Sequence, residues 1–191
     1  ATPQDPANAR RAALAMQTGL AKINERRRAA GLSVWSIGVG VNTGAVVAGT
    51  LGSEERWSYT VIGDAVNLAS RLEGLTKHYA AAIVVSDATK EAAGPGFVFR
   101  TLDRVIVKGK NEPVQIYELL AEGAAPAWLA DYEKGLSAYR ERRYPEALKC
   151  LRVVLAAAPG DGPSKMYLER AETMSLGGGG DASGPTRMDE K

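Results

Sequence analysis

The sequence predicts an α+β domain followed by a small all-α unit. Apolar residues recur at helical spacing near the N-terminus, and strand-like runs rich in Val and Ile alternate with further helical segments up to about residue 120. A break at Gly123–Pro126 separates this region from a stretch that has only helical patterns. We therefore divide the chain into residues 1–122, residues 123–176 and a Gly-rich tail, residues 177–191, which we expect to be disordered.

The composition is that of a globular protein and excludes several kinds of site. Hydrophobic residues make up 45% and charged residues 24% of the 191 residues, with a net charge of +2. So small a charge predicts no nucleic-acid partner. The single Cys150 rules out a disulfide within the chain, and the single His78 rules out a metal site built from several histidines. No apolar run approaches 18 residues and the first residues lack a signal-peptide core, so we expect a cytoplasmic location.

The first element is a long helix that begins at Asp5-Pro6, an N-cap residue followed by proline at the first helical position. It ends near Gly31. Its apolar stripe is Ala9, Ala13, Met16, Leu20 and Ile23. Two strands follow at residues 33–41 and 45–50, where repeated glycines indicate the tight turns and bulges of a hairpin. Residues 52–62 are expected to form a loop.

The next helix carries the most informative residues of the chain, Asn67 and Arg71. Its apolar stripe is Leu68, Leu72, Leu75 and Tyr79. Asp64 is the candidate N-cap. Residues four apart on a helix lie on the same side, so we expect the amide of Asn67 and the guanidinium of Arg71 to face one ligand. A guanidinium presents a planar fork of donors that suits phosphate oxygens.

The remaining patterns complete the first domain and build the helical unit. We predict strands at residues 82–86, 97–107 and 114–120, with a short helix at 87–93 between the first two. A helix pair then lies within Tyr132–Pro159, and a third helix spans residues 163–174.

Four motifs in order resemble the catalytic domain of class III nucleotide cyclases, the adenylate and guanylate cyclases. They are GVNTGAVVAGTLGS (Gly40–Ser53), YTVIGDAVNLASRLE (Tyr59–Glu73), IVVSDAT (Ile83–Thr89) and VKGKNEPVQIYEL (Val107–Leu119). The resemblance covers about residues 5–120. It implies a ferredoxin-like sheet with helices packed on one face.

The resemblance also implies a chemistry, the conversion of a nucleoside triphosphate to its 3′,5′-cyclic monophosphate and pyrophosphate. It assigns Asn67 to orienting the ribose and Arg71 to the charge that develops on the α-phosphate. It assigns Lys108 to the outgoing phosphates and Thr60 to the adenine amino group, so ATP is favoured over GTP. Two divalent ions, Mg²⁺ or Mn²⁺, held by two aspartates, would activate the ribose 3′-hydroxyl.

This sequence departs from the family pattern in its first part. In the family, the metal-binding aspartates and a lysine that reads adenine precede the helix with which this chain begins. In addition, Gly38 stands where many relatives have a phosphate-binding Arg. We therefore expect the chain to be the C-terminal part of a longer adenylate cyclase, with metal ligands outside this chain. The family's site forms between two domains. We expect a head-to-tail homodimer and no activity from the fragment alone.

Two other functions stay open. A cyclase-like domain can act as a non-catalytic dimerisation or regulatory module, and a guanylate cyclase would differ mainly in its base recognition. The segment Tyr132–Pro159 resembles a tetratricopeptide helix pair, which suggests a protein partner for this unit. The whole layout resembles bacterial adenylate cyclases that carry a membrane-bound sensor upstream, so any membrane attachment would come through that sensor.

Overall fold

The computed structural model describes residues 2, 4–53, 56–92, 94–107, 112–177 and 186–188, and it is divided into helices and strands as follows. The helices are α1 (Asp5–Ala29), α2 (Asp64–Tyr79), α3 (Asp87–Ala92), α4 (Leu129–Arg140), α5 (Tyr144–Ala157) and α6 (Gly162–Ser175). The strands are β1 (Val39–Val41), β2 (Val47–Ser53), β3 (Arg56–Ile62), β4 (Ile83–Ser86), β5 (Phe97–Val107), β6 (Val114–Glu122) and β7 (Thr186–Met188). No helix in these ranges is long and apolar enough to cross a membrane.

The main sheet has five strands in the order β1-β4-β6-β5-β7. Strand β1 runs parallel to β4, the β4–β6 and β6–β5 pairs are antiparallel, and β7 runs parallel to β5. Strands β2 and β3 form a separate antiparallel hairpin between β1 and α2. The predicted α+β class is therefore confirmed.

Helices cover both faces of the sheet, so the expectation that they pack on one face is wrong. Leu72 and Tyr79 of α2 pack with Val84 in one apolar cluster. Ala13 of α1 packs with Ile83 and Val85 in another. Every residue of β4 is buried, because successive side chains of a strand point to opposite faces and each face carries a helix.

The segment predicted as a loop, residues 52–62, is also different in the structure. Strand β3 occupies most of it and pairs with β2 from Val47 opposite Ile62 to Ser53 opposite Arg56. Strand β1 is shorter than predicted. In the described residues that precede it, the backbone bonds to side chains of α1 and not to a neighbouring strand. Asn24 bonds both backbone groups of Trp35, at 2.7 and 2.9 Å.

The C-terminal helices form a second core. Its largest buried side chains are Tyr132, Leu136, Leu151 and Tyr167. Gly135 allows α4 to approach α5, since a Cβ there would lie 3.1 Å from Leu151. The three helices were predicted, whereas their likeness to a tetratricopeptide repeat stays a prediction. In the tail, residues 186–188 pair with β5, which differs from the disorder expected there, and the rest of the tail lies outside the described residues.

Candidate functional site

Helix α2 begins at a turn that requires glycine. Gly63 is the N-cap residue with φ of 149°, a conformation that residues with a Cβ rarely adopt. Asp64 was predicted as the N-cap, but it is the first residue of the helix, where its negative charge interacts favourably with the helix dipole. The predicted stripe of Leu68, Leu72, Leu75 and Tyr79 is buried.

Two further glycines let α2 lie directly on the sheet. A Cβ at Gly40 of β1 would overlap the carbonyl oxygen of Ala69 and the amide of Glu73. A Cβ at Gly44 would lie 2.8 Å from the Cβ of Ala65. These glycines were predicted to form turns and bulges, whereas their role in the structure is close packing against α2.

Asn67 and Arg71 lie one turn apart on the side of α2 that flanks the buried stripe. Asn67 is exposed and Arg71 is half-buried. Within the described part of the chain, neither side chain has a hydrogen-bond or ion-pair partner. Both groups are therefore available to a ligand, while the adjacent stripe of the same helix is anchored in the core.

Of the other two predicted residues, Thr60 and Lys108, only Thr60 lies within the described part of the chain. Thr60 is exposed on β3, opposite Gly49, and lies on the same hairpin face as Val47 and Ile62. It precedes the Gly63 turn that starts α2, so one short segment carries Thr60, Asn67 and Arg71. Lys108 lies outside the described residues.

An open cleft of about 640 Å³ lies at the start of α2. Residues 42–45, Asp64, Ala65, Leu68, Asp87, Ala88 and residues 112–114 line it. None of Thr60, Asn67 and Arg71 does so.

Polar side chains beside the cleft tie the 42–45 turn to its surroundings. Asn42 donates to the carbonyl oxygen of Ala65 at 3.0 Å and accepts from Ser86 Oγ at 2.6 Å. The hydroxyls of Thr43 and Thr89 lie 3.1 Å apart. This network was not predicted, because its members come from three separate segments of the sequence.

No group of three or more His, Cys, Asp or Glu side chains that could hold a metal ion occurs among the residues that the structure describes.

Comparison with known proteins gives a consistent result. A family model described as the adenylate and guanylate cyclase catalytic domain matches residues 3–121. A terminal-differentiation-specific adenylate cyclase of Dictyostelium discoideum is 40% identical over 143 residues, which are 70% of this chain and 7% of that protein. An adenylate cyclase of Anabaena cylindrica is 43% identical over 117 residues, 58% of this chain and 23% of that protein. The chain thus spans less than a quarter of either relative.

Solved structures resemble more than half of the chain. The adenylyl cyclase CyaB from P. aeruginosa is similar with a TM-score of 0.51 and 34% identity, over 57% of this chain and 55% of that one. The guanylyl cyclase Cya2 is similar with a TM-score of 0.51 and 36% identity, over 65% and 62%. Because the family model matches more than half of the sequence, this chain belongs to the adenylate and guanylate cyclase catalytic domain family.

Proposed function

We propose that this chain is part of an adenylate cyclase, to which it contributes the residues that stabilise the transition state. The observation that carries the proposal is the unpartnered pair Asn67 and Arg71, held on one side of a helix whose other side is buried. Three similar curated proteins are named adenylate cyclases. Preference for ATP over GTP rests on Thr60.

In the proposed reaction, the ribose 3′-oxygen bonds to the α-phosphorus, the bond from that phosphorus to the bridging oxygen breaks, and pyrophosphate leaves. The 3′-hydroxyl proton is lost to solvent. Arg71 would donate to the α-phosphate oxygens as their charge grows, and Asn67 would hold the ribose in line for attack. Lys108 would hold the departing phosphates. Two divalent ions bound by residues outside this sequence would supply activation of the hydroxyl.

The hairpin of β2 and β3 supports a homodimer. Its large side chains are exposed to an unusual degree, at 67% for Val47, 63% for Trp57 and 77% for Tyr59. Exposed apolar clusters of this kind on a soluble domain mark interaction surfaces. Val47 lies on the hairpin face that carries Thr60, whereas Trp57 and Tyr59 lie on the opposite face. A second copy that packs on the Val47 face would lie beside Thr60.

The deciding experiment is a cyclase assay on the chain extended upstream through the missing family strands, with ATP or GTP and Mg²⁺ or Mn²⁺. We expect cyclic AMP from ATP, and its loss in Asn67→Ala and Arg71→Ala. Lys77→Ala is the matched control, because it removes a positive charge from an exposed position of the same helix.

The other outcomes favour the other functions. Cyclic GMP as the main product would assign a guanylate cyclase, which the similarity to Cya2 makes the second candidate. A folded dimer that yields no product from either nucleotide would favour a regulatory module.

A further inference from the structure

Helix α6 lies against helix α2 along a row of its own residues. Gly162, Met166 and Arg170 follow at four-residue intervals and so share one side of α6. A Cβ at Gly162 would overlap the carbonyl oxygen of Ala80, the residue that ends α2. Met166 packs against the apolar cluster beneath α2, and Arg170 Nη2 lies 3.0 Å from His78 Nε2. The contacts all fall on the C-terminal half of α2.

A buried chain of charged groups links the start of α6 to the turn that follows α2. Asp161 caps α6 and accepts from Arg100 Nη1 at 2.7 Å. Arg100 Nε donates to Glu118 at 2.7 Å, and Glu118 accepts from the backbone amide of Ala82 at 3.0 Å. Ala82 lies two residues after Ala80. Consequently, the start of α6 and the turn that follows α2 share one network of hydrogen bonds.

The helical unit also seals part of strand β5. Between Thr101 and Asp103 the pairing with β6 shifts register, and side chains of the helices bond the backbone there. Tyr132 donates to the carbonyl oxygen of Thr101 at 2.9 Å, and Tyr167 donates to that of Leu102 at 2.7 Å. An open strand edge is a site of mispairing. Helices α4 and α6 therefore cover this part of β5.

We propose that α6 positions the C-terminal end of α2 and thereby sets where Asn67 and Arg71 lie, an inference that rests on the proposed adenylate cyclase function for its effect on turnover. No residue of α6 needs to touch substrate for this. The packing of Gly44 holds α2 near Ala65, and the packing of Gly40 holds it at Ala69 and Glu73, so a shift at Ala80 tilts the helix against both contacts.

The size of the effect follows from the geometry of a rigid helix. Arg71 lies six residues beyond Ala65, and Ala80 lies fifteen beyond it, so a rigid tilt about Ala65 would move Arg71 by about 0.4 of the shift at Ala80. This is an upper limit, because the Gly40 contact with Ala69 and Glu73 restrains the helix on either side of Arg71. Relief of the overlap created by a Cβ at Gly162 requires a shift on the order of 1 Å. Misplacement of a catalytic group by 1 Å can cost about 100-fold in rate. A shift of at most about 0.4 Å at Arg71 therefore predicts a loss of at most about five- to tenfold in kcat.

The test compares Gly162→Ala with Gly160→Ala. Alanine favours a helix more than glycine does, so harm at position 162 would come from the contact with Ala80. A Cβ at Gly160 meets nothing within 4 Å, which makes that variant the matched control. The first measurement is amide hydrogen exchange in the 191-residue chain. We expect exchange in peptides covering residues 76–82 to rise at least about fivefold in Gly162→Ala, and to be unchanged in the control.

The second measurement is turnover in the chain extended upstream. We expect kcat to fall, by at most about five- to tenfold, in Gly162→Ala, with KM for ATP within about twofold of wild type, and no change in the control. Unchanged exchange would overturn the proposal. Faster exchange with unchanged kcat would also overturn it, because the contact would then be structural only.

Failure of the two proposals can be told apart. If the extended wild-type protein makes no cyclic nucleotide, the proposed function fails, while exchange at residues 76–82 still decides whether α6 holds α2. If Gly162→Ala does not fold, Arg170→Ala takes its place, because it removes the contact with His78 without adding atoms. We expect about two- to threefold faster exchange around His78 in that variant, and no change would count against the proposal.

Discussion

Arg71 combines a fixed charge with the absence of a partner among the described side chains, which makes it the residue with the largest expected effect on catalysis. We predict that Arg71→Ala in the extended protein lowers kcat by about 100- to 1000-fold, as expected for the loss of one donor to a transition state. Arg71→Lys should recover only part of this, since it keeps the charge and loses the fork. Steady-state kinetics checks both predictions. A change in kcat below about threefold for Arg71→Ala would show that Arg71 does not act at the α-phosphate.

Asp161 predicts a pH dependence of stability. Burial alone would raise the pKa of its carboxyl, but the hydrogen bond and charge of Arg100 outweigh burial and hold the pKa below 3.8. A group whose pKa is lowered by folding stabilises the protein above its unfolded pKa of about 4, and that stabilisation is lost as the pH falls through the folded pKa.

The matched variant for Asp161 is Asp161→Asn, because asparagine still caps a helix and carries no charge. We predict that the difference in free energy of unfolding between wild type and this variant is largest at neutral pH and shrinks below about pH 4. Denaturant titration at several pH values measures it. A difference that stays constant down to pH 2 would mean that the Arg100 contact does not depend on this charge.

At the scale of elements, the seating of α2 on β1 depends on one glycine. We predict that Gly40→Ala lowers the melting temperature, because its Cβ would overlap backbone atoms of α2 that can move only with the whole helix. Gly74→Ala, an exposed position of α2 with nothing within 4 Å, should instead stabilise the protein by about 0.5–1 kcal/mol through helix propensity. Thermal unfolding of the two variants should therefore shift in opposite directions, and equal shifts would refute the close-packing role of Gly40.

At the scale of the whole molecule, the exposed hairpin predicts association. We predict that Trp57→Lys in the extended protein weakens the dimer and makes the specific activity depend on protein concentration, because a charge would have to be buried in the interface. Val153→Lys is the control, since Val153 is also exposed and apolar but lies on α5. Sedimentation velocity with activity across a dilution series measures both effects. Equal behaviour of the two variants would exclude the hairpin as the dimer surface.

The sequence by itself determined the features that depend on near neighbours along the chain. The stripe of α2 recurs every three or four residues, the break at Gly123–Pro126 separates β6 from α4, and Asn67 and Arg71 share a helix side because they are four residues apart. These depend on backbone geometry, which is local. The strand in residues 56–62 was missed although aromatic and β-branched residues favour strands, because its pairing with β2 decided it.

Only the tertiary structure decided how these elements meet. Three contacts join residues that are far apart in sequence. They are the packing of helices on both faces of the sheet, the close approach of α2 to Gly40, and the contact of α6 with the end of α2. The position of Thr60, Asn67 and Arg71 outside the cleft was likewise decided by the tertiary structure. Such contacts arise from the shapes of whole elements that bury their apolar sides together, and no periodicity within one segment encodes which partner each side will find.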